Sequence, residues 1–156
     1  MAVYKIISTQ KLPISIGEAW AFFSSPENLA TITPPHMGFK IKKGFENKKM
    51  FKGMFITYTV KPLLKIPITW VTEIIQASEP NSFIDFQLKG PYRLWHHIHS
   101  FREVKDGGIE IYDEVKYVLP FGFLGRLMHW AFIRKEIESI FEYRKNVLVK
   151  KFGNPI

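Results

Sequence analysis

The last forty residues constrain the fold most, because their apolar side chains recur at the spacing of one helix face. The pattern predicts a helix that begins near Gly122 and ends at Gly153. A helix of this length is not stable through intrinsic propensity alone, so its apolar stripe must lie along another apolar surface. The predicted stripe contains Phe123, Leu127, Trp130, Ile137, Phe141, Leu148 and Phe152, widened by Ile133, Ile140 and Val147.

The first third of this helix is apolar on nearly all sides, which a helix with one buried face does not require. The residues on its outer side are Leu124, Met128, Ala131 and Phe132. We expect that side to be buried within the monomer; a dimer partner or a membrane are the alternatives. Whether the protein is a monomer or a dimer stays open.

The residues before the helix predict an antiparallel sheet. The chain begins with a strand over residues 3–10 and a capping-box sequence, Ser15 to Glu18, that opens a short helix. Ser25-Pro26 opens a second short helix, which ends at Pro34-Pro35. Short intervals with turn residues then separate six predicted strands, which favours hairpins. These strands span residues 38–45, 52–61, 66–76, 82–89, 92–104 and 109–119.

Together these elements predict an α+β fold in a single domain that spans residues 1–156. A curved antiparallel sheet of seven strands should wrap around the long C-terminal helix, with the two short helices after the first strand. The curved inner face of the sheet is the only surface large enough to cover the apolar stripe of the helix.

Composition excludes several functional classes. The chain has no Cys, so it has no disulfide, thiolate metal site or cysteine nucleophile. It shows no secretory signal and no apolar run of membrane-spanning length, so we expect a cytoplasmic protein. Its net charge is +8, but the lysines between positions 40 and 52 alternate with apolar residues, as on a solvated strand face. No nucleic-acid motif accompanies the charge, and we expect no nucleic-acid partner.

The segment from Gly90 to Phe101 predicts a ligand-binding wall. After the Gly90-Pro91 turn, period-two alternation puts Trp95, His97, His99 and Phe101 on one strand face. Two imidazoles between two aromatic rings suit a pocket that is mostly apolar with a few polar groups. A buried core with hydrogen-bonded histidines is the equally weighted alternative.

The flanking turns predict which residues face this strand. Across Gly90-Pro91, Trp95 should lie opposite Gln87 and His97 opposite Asp85; across Asp106-Gly107-Gly108, His99 should lie opposite Asp113 and Trp95 opposite Tyr117. The resulting candidate ligand-binding set is Tyr58, Trp70, Thr72, Asp85, Gln87, Trp95, His97, His99, Phe101, Asp113 and Tyr117.

This set allows three kinds of chemistry. Paired Asp and His side chains would anchor a hydroxyl, carbonyl or carboxylate on an otherwise apolar ligand. Alternatively, a His–Asp pair from Asp85, His97, His99 and Asp113 would act as acid and base in a cyclase, dehydratase or hydrolase. Third, His97 and His99 with one carboxylate would bind a metal, although His-x-His alone is a weak signal. We expect ligand binding, with no metal and no cofactor, and leave open whether the protein is an enzyme.

The chain also resembles the START-like superfamily, also called SRPBCC, which has the helix-grip fold. The resemblance is carried by Ser25-Pro26-Glu27-Asn28-Leu29, Thr33-Pro34-Pro35, Trp70-Val71-Thr72-Glu73-Ile74, Phe83-Ile84-Asp85-Phe86-Gln87, Gly90-Pro91-Tyr92 running on to Phe101, Asp113-Glu114-Val115-Lys116-Tyr117 and Leu119-Pro120-Phe121-Gly122. The superfamily includes birch-pollen allergen, START lipid-transfer domains, polyketide cyclases and coenzyme Q-binding proteins. The match is best to a bacterial subgroup labelled cell division inhibitor-like.

The resemblance implies that a hydrophobic small molecule is held between sheet and helix, for transport or sequestration. We expect its entrance near the short helices and Pro34-Pro35, since loops move more easily than the sheet. An alternative function is a membrane-surface or protein-partner module that uses the lysines and the apolar start of the last helix.

Overall fold

The computed structural model describes residues 2–43, 49–62 and 65–155. Seven strands form one antiparallel sheet in the order β1-β7-β6-β5-β4-β3-β2, which confirms the predicted α+β architecture. The strands are β1 Tyr4–Leu12, β2 Lys40–Lys43, β3 Phe55–Val60, β4 Ile68–Ser78, β5 Ser82–Lys89, β6 Leu94–Glu103 and β7 Ile109–Val118. The end of the second predicted strand at 44–45, the turn at Glu46-Asn47 and Lys48 lie outside the described residues.

The sheet is bent because its ladders contain bulges. Between β4 and β5 the register shifts twice, at Val71/Thr72 and at Ile74/Gln76, and β2 and β3 share one further shift. An extra residue in one strand bends that strand and increases its twist. The bend produces the concave face on which the helices pack.

The elements after β1 confirm the local signals in the sequence. Helix α1, Ile16–Phe23, begins with the predicted capping box, in which the Glu18 amide donates to Ser15 Oγ and the Ser15 amide donates to the Glu18 carboxylate. The second short helix is a 3₁₀ turn, Pro26–Leu29. A further 3₁₀ turn, Pro35–Met37, follows where the sequence predicted only a stop. These turns cover one end of the concave face.

The C-terminal helix, residues 122–152, consists of helix α2, Gly122–Met128, a π-helical turn, His129–Ile133, and helix α3, Arg134–Phe152. It ends at Gly153, as predicted, where φ is 96° and glycine alone adopts the backbone readily. In α3, Ile137, Phe141 and Leu148 are buried against the sheet. Within the described residues, no helix combines the length and apolarity needed to cross a membrane.

The predicted stripe is wrong for the first third of the helix. Phe123, Leu127 and Trp130 are exposed, and the buried positions are Gly125 and His129. A π-helical turn contains one residue more than an α-helical turn. The α-helical spacing that identifies the buried residues of α3 therefore assigns the residues before the π-helical turn to the wrong face of the helix. The expected burial of the outer side is wrong too, since Leu124 and Phe132 are exposed.

Candidate functional site

An inner cavity of about 130 Å³ lies between the concave face of the sheet and α3. Strands β3 to β6 contribute seven of the predicted residues to its wall, because alternate residues of each strand point to this face. These seven are Tyr58, Trp70, Thr72, Asp85, Trp95, His97 and His99. The aromatic rings are packed against one another: Trp70 lies 5.7 Å from Tyr58 and 5.3 Å from Trp95, between ring centroids. The cavity is therefore mostly apolar, and its aromatic rings lie beside a few polar groups on the sheet face.

A larger pocket of about 780 Å³ lies outside the inner cavity. Its walls are the β5–β6 turn, the segment after β7 and the start of the C-terminal helix. Met37, Pro62, Tyr92 and Ile140 line both spaces and form a neck between them. Met37 belongs to the 3₁₀ turn at Pro35, so the short helices border this neck, although most of the outer pocket lies elsewhere.

The polar side of the inner cavity is a cluster of two imidazoles and two carboxylates. His99 Nε2 lies 2.6 Å from Asp85 Oδ2, and His99 Nδ1 lies 3.0 Å from Asp113 Oδ1. His97 Nε2 lies 2.9 Å from the same Asp113 oxygen, and the two rings are 3.7 Å apart between centroids. The predicted pairings of Asp85 with His97 and of Asp113 with His99 are both confirmed in the strand ladders. These pairings bring the cluster to one face.

The electrostatics of the cluster separate the two histidines. Burial lowers the pKa of both, but hydrogen bonds to Asp113 and Asp85 raise the pKa of His99 above its ordinary value. The pKa of His97 stays lowered, by burial and then by the neighbouring His99. We therefore assign an imidazolium to His99, which donates to both carboxylates, and a neutral ring to His97, which donates to Asp113.

Both carboxylates are ionised in this arrangement. Burial alone would raise the pKa of each, but hydrogen bonds from the imidazoles outweigh it, and the pKa of Asp113 lies far below its usual value. The pKa of Asp85 is lowered by the same balance. Arg144 on α3 adds one positive charge, with Nη1 3.7 Å from Asp113 Oδ1. Two carboxylates, one imidazolium and one guanidinium together carry no net charge.

The cluster is also compact enough for a metal ion. One ligand atom each from Asp85, His97 and His99 lie within 4.8 Å of one another. Three of the four ring nitrogens, however, lie 2.6–3.0 Å from a carboxylate oxygen, and the fourth, His97 Nδ1, lies 3.6 Å from Asp85 Oδ2. Because the imidazoles already have hydrogen-bond partners, we interpret the group as a proton-linked network.

Four residues of the predicted ligand-binding set, all within the described part of the chain, line neither the inner cavity nor the outer pocket. Asp113 lies behind the two histidines, and Phe101 packs in the core against Trp20. The Tyr117 hydroxyl is 2.9 Å from His129 Nε2 in a separate apolar cluster. Gln87 bonds both backbone groups of Tyr92, so the β5–β6 ladder ends at Phe86–His96, one pair short of the predicted Gln87–Trp95.

The sequence reasoning missed Arg144, which is the one arginine or lysine that lines the inner cavity within the described part of the chain. A signal was present: Arg144 follows Phe141 by three positions and precedes Leu148 by four, so it lies on the buried side. An arginine within an apolar stripe indicates a buried role.

No family model matches this chain, and no curated protein matches it. Solved structures do share its fold. Protein CV1439 from Chromobacterium violaceum aligns with a TM-score of 0.70 at 10% identity, over 97% of this chain and 99% of that one. Protein Ms6760 from Mycobacterium smegmatis aligns with a TM-score of 0.65 at 14% identity, over 94% and 92%.

A third neighbour, Ara h 8.0201, is a Bet v 1-like protein. It aligns with a TM-score of 0.62 at 11% identity, over 96% of this chain and 99% of that chain. At such identities the likeness shows the fold alone. The chain shares a helix-grip-like α+β fold with these neighbours, which is consistent with a Bet v 1/SRPBCC-like fold.

Proposed function

We propose that the protein binds a hydrophobic small molecule, lipid-like or polycyclic, between the sheet and the C-terminal helix. The single observation that carries this proposal is the mostly apolar inner cavity, lined in part by aromatic rings, which adjoins the larger outer pocket at a neck and has one polar cluster. Ligand sites are typically concave and apolar with a few placed polar groups. Within the superfamily, we favour placing the chain in the polyketide cyclase/coenzyme Q-binding-like part. Within that part, we favour the cell division inhibitor-like subgroup.

Filling the neck should abolish this binding. Ile140 is half-buried and lines both spaces. An Ile140→Trp substitution places an indole in the neck, so we expect Nile red, a neutral apolar dye, to bind roughly tenfold more weakly or worse. Fluorescence titration measures the effect, and thermal unfolding checks that the variant is folded.

Ser139→Trp is the matched control, because Ser139 precedes Ile140 on the same helix and is exposed. It adds the same indole outside the cavity and should bind Nile red as the wild type does. Equal binding by wild type and Ile140→Trp would contradict the proposed site. A wild-type protein that binds neither Nile red nor any other apolar probe would contradict the proposed function.

We propose in addition that an exposed apolar surface at the outer pocket docks on an anionic lipid bilayer. This mouth patch consists of Phe121, Phe123, Leu124, Leu127, Trp130 and Phe132. Trp130 is 82% exposed, and Phe121 is 75% exposed with φ at 67°, a left-handed backbone that costs a bulky residue about 1–2 kcal/mol. Contiguous exposed apolar side chains of this kind mark interaction surfaces.

The charge around the mouth patch favours a bilayer as its partner. Arg93, Arg126, Arg134 and Lys135 are exposed near the patch, and the chain carries a net charge of +8. Aromatic and basic side chains together suit the headgroup region of an anionic membrane. Because Phe121 and Phe132 also line the outer pocket, docking would bring its opening to the lipid surface.

Co-sedimentation with vesicles tests the mouth patch. Wild type should bind vesicles of phosphatidylcholine with phosphatidylglycerol, and binding should weaken as salt screens the charges. The double variant Phe123→Ala with Trp130→Ala should lose most of the bound fraction. Phe55→Ala is the control, since Phe55 is 54% exposed on β3. If the double variant instead converts a dimer to a monomer and leaves vesicle binding unchanged, the patch is a contact between two copies.

A further inference from the structure

Arg144 lines the inner cavity from the helix side. Its side chain is only 11% exposed, and its guanidinium carbon lies 5.1 Å above the ring centre of Phe141. The opposite wall carries Asp85, His97 and His99. The guanidinium is therefore held in place by an aromatic ring while it faces the space that a ligand would occupy.

The hydrogen bonds of this guanidinium are incomplete. Nε and Nη1 are fully buried and have no hydrogen-bond partner among the described residues. The carboxylate oxygen that faces Nη1, Asp113 Oδ1, is 3.7 Å away, beyond hydrogen-bond distance. That oxygen also lies within 3.0 Å of His97 Nε2 and His99 Nδ1. Buried donors almost always have partners, and a buried charged donor without one costs more than a neutral group.

A carboxylate would pair with Nη2 and one of the two free nitrogens, Nε or Nη1, because these two N–H groups do not point to the same side of the guanidinium. The guanidinium presents its N–H groups as a fork that matches the two oxygens of a carboxylate. Asp85 and Asp113 repel an anion on the sheet side, but His99 and Arg144 balance their charge, so the helix side beside Arg144 is where an anion fits.

We infer that the ligand is an amphipathic carboxylic acid, with its apolar part among the aromatic rings and its carboxylate on Arg144. This inference rests on the proposed binding function and adds the chemical class of the ligand. It assigns Arg144 as the residue that selects the acid over neutral molecules of the same shape.

Displacement of Nile red by dodecanoate and by methyl dodecanoate tests the inference. These two probes share an apolar chain and differ in charge. For the wild type we expect the acid to displace the dye at a concentration roughly tenfold to a hundredfold lower than the ester, as for a charge-assisted hydrogen bond. In Arg144→Met this preference should disappear, through weaker acid binding and with ester binding unchanged. Arg102→Met is the control, since Arg102 is 75% exposed, pairs with Glu110 and lines neither space.

The outcomes separate this inference from the function on which it rests. Equal displacement by acid and ester in the wild type overturns the inference and leaves the proposed function intact. Binding of neither probe nor the dye overturns the function itself. An acid preference that persists in Arg144→Met shows that another group holds the carboxylate. If Arg144→Met does not fold, Arg144→Lys, which keeps the charge without the fork, should retain only part of the preference, and full retention overturns the inference.

Discussion

Asp113→Ala should destabilise the protein by about 3–5 kcal/mol, the cost typical of removing one partner from a buried charge network. Asp113 accepts hydrogen bonds from both His97 and His99 and lies near Arg144. Without it, one imidazolium and one guanidinium share Asp85 alone, and both positive groups are largely buried. Guanidinium denaturation at pH 7 measures the change.

The neighbouring residue supplies the control. Glu114 points to the other face of β7, where it pairs with Lys5 at 2.9 Å and Lys116 at 3.1 Å. Glu114 is buried and also accepts a hydrogen bond from Tyr112, but both lysine side chains are nearly half exposed, so water and salt screen these pairs, and Glu114→Ala should cost less than Asp113→Ala, about 1–2 kcal/mol. Equal losses in the two variants would show that the cluster is not a tightly coupled buried network.

Stability should also fall steeply in acid. The pKa values of Asp113 and Asp85 are lower in the folded protein than in the unfolded chain. Their contribution to stability is therefore present above about pH 4 and is lost as the pH falls through the folded-state pKa values. We therefore expect the free energy of unfolding to decline between pH 4 and pH 2.

The two histidines should give a stability maximum near pH 6.5, because each contributes a loss of stability on a different side of that pH. The contribution of His99, whose pKa is raised, is present below about pH 6.5 and is lost as the pH rises through its folded-state pKa. The contribution of His97, whose pKa is lowered, is present above about pH 6.5 and is lost as the pH falls through its own.

Denaturation curves at a series of pH values test both statements. The difference in free energy of unfolding between wild type and Asp113→Ala should become smaller below pH 4, because only the wild type has that carboxylate to protonate. Glu142→Ala removes a carboxylate that is 68% exposed. The free energy of unfolding of this variant should change with pH as that of the wild type does. A single steep transition near pH 6.5, with no decline below pH 4, would contradict the assigned charges.

The sequence predicted those parts of the fold that depend on local periodicity and turns. Strand alternation and short Gly- and Pro-containing intervals were sufficient for the antiparallel order, and for the pairing of His97 with Asp85 and of His99 with Asp113. The cluster was predictable because it consists of cross-strand neighbours, whose positions follow from register.

Contacts between elements were less predictable. Arg144 faces His97 and Asp113 across the sheet–helix interface, and that proximity depends on how far the helix slides along the sheet. Gln87 was expected to face the cavity, but its amide instead bonds the backbone of Tyr92, because a turn with free N–H and C=O groups competes for it. Such competition is decided by three-dimensional geometry and leaves little trace in residue spacing.

The π-helical turn at His129–Ile133 gives the two ends of the C-terminal helix different rotational settings. Most large side chains before this turn are exposed, whereas Ile137, Phe141 and Leu148 after it pack against the concave face of the sheet. Substitutions of exposed residues in α2 can therefore change the contacts of the protein with other molecules without altering the packing of α3 on the sheet. One continuous helix thus has an exposed surface at its start and a buried surface along α3, and the two can change independently during evolution.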